Sequence, residues 1–573
     1  MRKDKIAEGS ACYDKRTAPV WRLLSVAGAL GFSLISCSPE MYHTRADKEA
    51  YSILYSKTPE VENVEPSSVD VDDLKEVDLS KYKTGGGGSS FLGKAALEEK
   101  RAKVLSLDDA MEAGVSYGRD YLSQRERVFI SALDLTLARW RLTPIFNING
   151  NGVRSGDSRN AQVQQNLTEL VSTNTMAQNR TAGFNWLSMT GARVSADFTQ
   201  DFLRLMTGNR SLNESDLAVS VVQPLLKGGG TTVTMEALTQ EERDLLYDLR
   251  DFATFRRSFI VDVVSDYYNV LQARDQIQNN YAAYQGFLIN GEREQALAEE
   301  NRRTKTEIGQ LQQATLQAES RWINSIRTYQ TRLDNLKLSL GLPVEKQIIL
   351  DDKELQKLRI EAPPVTRDEA VQIALVTRPE IATVTDQVED AERRIKVAKN
   401  GLLPGVDVGL DYNSVSDPGD TTPNINFDRR RWSTSLDVDL PLDRKSERNL
   451  YRIAFISLER AKRAAESQKD QVRLQIYDDW RALDQARLNF EIAEKGVALA
   501  ASRLEEQNLL QDLGRGEARD LIDAQNDLLS AQNQRTSTVV DHTLARLRLW
   551  RDMGILYIKE DGSWVKKLEN ESL

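Results

Sequence analysis

Asp520 and Asp523 stand three residues apart, just beyond the glycine-flanked turn "LGRG" (513–516). On a helix that spacing puts both carboxylates on one face. Such a pair is either an ordinary solvated helix face or a local negative charge that favours cations and repels anions. Other residues able to do chemistry are scarce. His43 and His542 are the only histidines, and neither has a nucleophile or metal ligand at motif spacing. "GSSFLGKA" (88–95) approaches a phosphate-binding loop, but Ala95 stands where a Ser or Thr would hold Mg²⁺, and no apolar strand precedes it. Carboxylate pairs abound elsewhere, as on any chain rich in charged helix. No catalytic residue, metal site or cofactor is assigned, and an enzyme is not expected.

The composition narrows the partners. The 573 residues carry a formal charge of -10, which gives no electrostatic case for nucleic acid. No run after the N-terminal segment approaches the roughly 18 apolar residues of a spanning helix. At the N-terminus, Arg2, Lys3, Lys5, Lys15, Arg16 and Arg22 precede the short apolar run "LLSVAGALGFSLIS", the layout of a signal peptide. "LISC" (34–37) resembles the bacterial lipoprotein box, which implies cleavage after residue 36 and acylation of Cys37. Ser38 rather than Asp follows, which by the same resemblance favours the outer membrane. Cleavage removes six basic residues against three acidic, so the mature chain is more acidic still. It also removes Cys12, leaving one cysteine and no disulfide.

The elements that would position the aspartates come in duplicate. "LSLDDAMEAG" (105–114) and "VTRDEAVQIA" (365–374) each open a helix with a capping box, Ser106 with Asp109 and Thr366 with Glu369. At the same offset, "RLTPIFNINGN" (141–151) and "GLLPGVDVGLD" (401–411) each lead from a proline into an alternating strand. "VSVVQPLLKGG" (219–229) matches "LDVDLPLDRKS" (436–446), and "TKTEIGQLQQATLQAE" (304–319) matches "GRGEARDLIDAQNDLL" (514–529). One unit is used twice. Helix is nearly unbroken over 233–302 and 444–512, and about 68 residues at 1.5 Å each reach roughly 100 Å. Rods of that length need a coiled-coil seam, and Val472, Ile476, Trp480, Leu483, Ala486, Phe490, Ala493, Val497, Ala500 and Leu504 supply one.

Strands are expected at 143–152, 190–223, 404–412 and 432–440, with a polar loop over about 150–185. In the last, Trp432, Thr434, Leu436, Val438 and Leu440 share a face opposite Ser433, Ser435, Asp437 and Asp439. Beside an outer-membrane signal, such alternation reads as aliphatics to lipid and acids to a wet lumen. Four strands cannot close a barrel, and an open edge in lipid leaves backbone groups unpaired at several kcal/mol each. Copies of the chain would therefore share one. The alternative is a periplasmic coiled-coil adaptor or structural lipoprotein without a pore, its strands forming a soluble sandwich.

The doubled arrangement, the "QPLLKGG" strand exit, the "RGEARDLIDAQNDLL" turn-helix and the closing "LRLWRDMG" resemble the TolC-like outer-membrane factor family, lipoprotein branch, over roughly residues 104–555. The resemblance implies a mostly α fold with a small β part. A homotrimer would combine a long α-helical coiled-coil barrel with a transmembrane β-barrel, four strands per chain making twelve. The expected organisation is a signal peptide at 1–36, a tether over 37–93 and a first repeat at 94–340 with its tip near 304. An equatorial connection at 341–365, a second repeat at 366–552 with its tip near 514 and an equatorial tail at 553–573 follow, and the belt would draw on the connection, the tail and, as one option, the tether. It implies the outer-membrane channel of a tripartite export system, a passive conduit for drugs, other small molecules or secreted polypeptide. A periplasmic adaptor would contact the tips at Thr304, Lys305, Thr306, Gly514, Arg515 and Gly516, and an inner-membrane pump of resistance-nodulation or ABC type would drive it. Asp520 and Asp523 match positions where the family places acidic rings at its periplasmic gate. Gln310 and Gly516 stand where the family carries an acidic and a basic latch, so any latch here must be built from other residues.

Overall fold

The computed structural model describes residues 38–566 apart from 72–76, 86–88, 100–101, 164–166, 206–209, 300–303, 418–423 and 514. The expected signal peptide, the lipidated Cys37, the tip residue Gly514 and the end of the C-terminal tail lie outside the described residues. The longer elements, in chain order, begin with α1 (Pro39–Lys57), β1 (Lys103–Leu105), α2 (Leu107–Tyr117) and α3 (Arg119–Trp140). Four strands follow, β2 (Ile145–Val163), β3 (Leu167–Leu187), β4 (Arg193–Leu205) and β5 (Arg210–Pro224). Then come the helical hairpin α4 (Glu236–Glu299) and α5 (Lys305–Ser339), the short β6 (Ile348–Leu350), and α6 (Arg367–Thr377) with α7 (Pro379–Gly401). The chain closes with β7 (Gly405–Val415), β8 (Arg430–Asp439), a second hairpin α8 (Lys445–Asp512) and α9 (Ala518–Asp552), then β9 (Leu556–Ile558) and β10 (Trp564–Lys566).

Local chemistry accounts for the helix starts. Ser106 Oγ accepts from Asp109 N at 3.2 Å while the Asp109 carboxylate accepts from Ser106 N at 3.0 Å. Thr366 and Glu369 repeat the box at 3.4 and 2.8 Å. Each box satisfies two of the N–H groups that a helix start leaves without partners. The two rods are 64 and 68 residues long and their return helices 35 each, so each rod is about 100 Å. On α8 the buried residues are Leu458, Ala465, Val472, Ile476, Leu483, Ala486, Ala493 and Ala500, largely a seven-residue repeat.

The sheet departs from the expected four strands. Six strands form one continuous antiparallel sheet in the order β2-β3-β4-β5-β7-β8. The stretch read as a polar loop over 150–185 is most of the β2–β3 hairpin, and the segment read as one strand over 190–223 is the β4–β5 hairpin. The signal was hidden because the sequence over 150–185 is dominated by Asn, Gln, Ser and Thr, with no sustained apolar–polar alternation. Among the described residues, these six strands lie in one sheet rather than in the two layers of a sandwich.

The N-terminal segment departs too: the described part of 38–93 is not an extended tether. Ala50, Ile53 and Leu54 of α1 are buried, as are Val61, Val64, Val69, Tyr82 and Leu92 beyond it. So few aliphatics make no core of their own, yet they suffice to cover one already present. Two buried arginines on α4 fix the wrapping. Arg256, fully buried, donates to the carbonyls of Asn63 (2.7 Å), Ile558 (3.3 Å) and Lys559 (3.2 Å). Arg274 binds the Glu99 carboxylate, Ser89 Oγ (3.2 Å) and Asp352 (2.9 Å). Parallel pairing of β1 with β6 adds the connection around residue 350 to the same girdle. This belt surrounds the main core, where Tyr121, Phe252, Phe259, Leu249, Ile476 and Trp550 pack.

One buried acid in the belt carries a pH signature. Burial, and then hydrogen bonding to Asp552, push the Asp479 carboxyl up to about 7. Burial also pushes Asp552 up, but the Arg551 hydrogen bonds outweigh it and hold that carboxyl below its usual range. Arg378 and Arg551 are the cations facing the pair. A raised Asp479 means the folded state holds a proton that the unfolded chain has released, so its contribution falls as pH rises from about 4 to 7. Asp479→Asn is expected to raise the thermal midpoint at pH 8 and to raise it by less than half as much at pH 5, by scanning calorimetry at both values.

Candidate functional site

Two features face outward from the belt: the two-sided sheet at one end of the rods and the hairpin tips at the other. The ladder registers align whole rows across six strands. Phe146, Phe184, Ala196, Val219, Tyr412 and Trp432 form one row on one face. Trp186, Val194, Val221, Leu410 and Thr434 form the next on that face. The opposite face carries Asn147, Gly183, Asp197, Ala218, Asn413 and Arg431 in one row, and Asn185, Ser195, Ser220, Asp411 and Ser433 in another. Side chains on the polar face bond across strands, Ser220 to Asp411 at 2.8 Å and Asn413 to Asp216 at 2.6 Å. The apolar face stays uncovered: Ile148 is 86% exposed and Trp432 66%.

At the far end, Thr304, Lys305 and Thr306 lie at the start of α5, and Arg515 and Gly516 lie between α8 and α9. Thr304 caps α5, accepting from Glu307 N at 3.3 Å while its own N–H donates to the Glu307 carboxylate at 2.8 Å. Lys305, Thr306 and Gln310 are exposed. In the second turn, Arg515 N and Gly516 N both donate to Leu510 O, at 2.9 and 3.0 Å. Gly516 is buried against Gln511, and any Cβ there would lie 2.9 Å from the Gln511 backbone nitrogen. Asp520 and Asp523 are both exposed in the first two turns of α9, and neither meets a cation among the described residues. Their neighbour Asp527 is held by Arg503 of α8.

The tip also holds contacts that sequence reasoning missed. Gln511 donates to the Glu294 carboxylate at 2.8 Å, both side chains nearly fully buried. Beside it, Arg293 pairs with Asp512. These bonds join the end of α4 to the end of α8, one hairpin to the other. A turn further in, Phe287, Leu311, Ala314 and Ala318 pack with Tyr284 and Ile522 in a small core of their own. No sequence signal marks a bond between partners some two hundred positions apart. A buried Gln and Glu at the ends of two rods become visible only with the packing.

The histidines belong to the structure rather than to a site. His542 is buried in α9, and burial holds its imidazole below the ordinary value, hence neutral at pH 7. His43 lies 3.1 Å from Asp47 one turn along α1.

Several solved structures share this arrangement at the level of fold. The chain has the fold of the TolC-like outer-membrane factors. It is similar to the open state of the MtrE outer-membrane channel of Neisseria gonorrhoeae, at 13% identity and a TM-score of 0.57, covering 78% of this chain and 88% of that one. The CmeC outer-membrane channel of Campylobacter jejuni superposes at 12% identity and 0.56, over 85% and 93%. The outer-membrane protein VceC of Vibrio cholerae does so at 12% and 0.55, over 78% and 96%. No family model and no curated protein matches the chain by sequence.

The crowding at Gly516 makes the tip testable. Gly516→Ala must displace the Gln511 backbone and with it the bond to Glu294. Limited trypsin digestion is expected to cut at Arg515 or Arg519 several-fold faster than in the parent, while the thermal midpoint, set by the belt core, changes little. An unchanged cutting rate would show that the turn does not depend on this contact.

Proposed function

We propose that three copies of this chain form a passive duct through the outer membrane and the periplasm, the exit conduit of a tripartite export system. The observation that supports it most is the sheet, with apolar rows on one face, acids and amides on the other, and neither β2 nor β8 paired on its outer side. Apolar rows suit lipid, and the acidic face suits a water-filled bore. Lipid tolerates no open edge, so the two edges call for other copies. The rods add support. Leu316, Ile323, Ile492 and Leu499 are more than half exposed, at seven-residue spacing on α5 and again on α8, as expected of coiled-coil faces awaiting a neighbour. The fold neighbours described as outer-membrane channels add a further argument for this location and role.

Cys37, acylated, would add a lipid anchor beside the barrel. The tips, Thr304 to Thr306 and Gly514 to Gly516, would receive a periplasmic adaptor that couples the duct to an inner-membrane pump of resistance-nodulation or ABC type. The cargo would be drugs, other small molecules or unfolded polypeptide. Around the narrow end, three copies of Asp520 and Asp523 would give six carboxylates and a preference for cations. In place of the family's latch positions, held here by Gln310 and Gly516, Glu294 with Gln511 and Arg293 with Asp512 would tie the two hairpins together in the closed state.

Two measurements test this. Cys37→Ala protein should still require detergent for extraction and migrate as a trimer in mild detergent. A water-soluble monomer would reject the duct. In planar bilayers the parent should prefer cations and be blocked by multivalent ones. Asp520→Asn with Asp523→Asn should weaken that block by roughly tenfold, the size of a 1.4 kcal/mol loss. Unchanged block and selectivity would remove these residues from the gate.

A further inference from the structure

The sheet holds two more strands per chain than the duct requires on the resemblance alone. It therefore asks whether the extra pair lies in the membrane wall or folds away into water. We propose that all six strands of each copy span the bilayer, so that three copies close a single barrel of eighteen strands, β8 of each copy pairing with β2 of the next. The inference rests on the trimeric duct proposed above and concerns the wall that this duct would have.

Three observations carry it. First, the ladder is unbroken. β3 pairs with β4 from Thr175↔Leu205 to Leu187↔Arg193, and β4 with β5 from Arg193↔Val222 to Leu205↔Arg210. No gap marks a hairpin that peels away. Second, every strand obeys the same two-sided pattern at the same level. The apolar row runs from Phe146 through Phe184, Ala196 and Val219 to Tyr412 and Trp432, and the row beside it on the other face is polar throughout β3 to β8. A hairpin resting in water would have no reason to keep Phe184, Trp186, Val194 and Phe198 on the face that continues into Leu410 and Leu436.

Third, the turn that joins the extra strands sits at the helix side of the sheet and is built into it. Ser188 N donates to Ala192 O at 2.8 Å and Gly191 N to Ser188 O at 2.9 Å. Gly191 takes φ +90°, open to glycine, and a Cβ there would strike Gly228 O at 2.9 Å. Thr190 O accepts from Gly230 N at 3.0 Å, which fixes the turn to the exit of β5 toward α4. Short turns on the inner side are the habit of outer-membrane barrels.

Closure works geometrically. An even number of antiparallel strands per copy brings β8 back toward the helices where β2 sets out, so the joint between copies is antiparallel, like every joint within one. Strands about 4.8 Å apart and tilted by about 40° each take roughly 6 Å of circumference. Eighteen of them give a ring of roughly 110 Å, half as large again as twelve would give at the same tilt. Four long helical segments per copy, packed at about 8–10 Å, make a twelve-helix ring of roughly 100–120 Å. The eighteen-strand wall therefore meets the helical tube without a step, and its bore belongs to the size class that leaves an aqueous channel rather than a packed interior.

A lipid-phase quencher tests the placement. Single cysteines at Ala196 (β4) and Val408 (β7), each on the apolar face, are labelled with an environment-sensitive fluorophore in otherwise intact protein reconstituted into vesicles containing nitroxide-labelled phospholipid. Equal quenching at both sites, within about twofold, is the expected result. Quenching at Val408 with none at Ala196 would overturn the eighteen-strand wall and leave the duct standing. Quenching at neither would remove the duct itself and this inference with it. Electron cryomicroscopy of the trimer gives the independent count: eighteen strands support the proposal, and twelve would overturn it.

Discussion

A strand at the edge of a sheet has half of its backbone donors and acceptors turned toward nothing. In this chain β2 and β8 are both such edges, and both faces of β8 are exposed along its length. Water could satisfy those groups, but the rows of Phe, Trp, Val and Leu beside them do not suit water. The duct proposed above would reconcile the apolar face with the open edges, by removing water from one and supplying strands to the other. Much else in the molecule answers to that constraint: the antiparallel order with an even count, the helices delivered to one rim, and the heptad faces left bare on the rods.

Between the sheet and the tips the chain is held by charge buried in backbone. Arg256 has no carboxylate partner among the described residues. Its two terminal nitrogens donate to three carbonyls drawn from the segment after α1 and from the β9–β10 turn region, while its Nε meets no acceptor among the described residues. A buried guanidinium with most of its donors filled is tolerable, whereas one stripped of them costs several kcal/mol. The two chain ends are thus pinned to one point of α4 by a charge that cannot be left uncovered. Arg274 does the same for the glycine-rich stretch, through Ser89 and Glu99. The belt is fixed by polar contacts that permit little adjustment, laid over an apolar core.

How much of this was legible depended on whether the signal was local. Capping boxes at Ser106 and Thr366, the two rods and the tip at Thr304 rest on residues within a few positions of one another, and all appear where the sequence placed them. Strand count failed because alternation is legible only where the two faces meet different surroundings. Phe146 and Ile148 alternate, but the sequence beyond them is mostly polar and read as loop. The contacts by which the N-terminal segment wraps the core were not legible for a related reason. Val61, Val64, Val69 and Leu92 are too sparse to announce a core, and the surface they cover is contributed by helices far along the chain. At the tips, position was legible but bonding was not: Gln511 and Glu294 meet only because two long helices end at the same height.

That the molecule is rigid at the belt and loosely tied at the tips follows from which side chains fill the α8 seam. Near the belt the buried positions are Val472, Ile476 and Leu483; toward the tip they become Ala486, Ala493 and Ala500. Burying an alanine removes far less apolar area than burying an isoleucine or leucine, and each methylene is worth about 0.8 kcal/mol. Along α8, then, the seam weakens with distance from the belt, and beyond Ala500 the buried side chain on this helix is the amide of Gln511. Segments with few buried apolar contacts are the ones that open locally at low cost while the rest of the fold stays closed. Alanine also lets helices approach closely, so the tip can pack well without being held strongly. Separation of the two hairpins there would break the Gln511–Glu294 and Arg293–Asp512 ties and lift Ile522 off the small Phe287–Leu311 cluster, whereas the same displacement at Ile476 would have to unpack the main core.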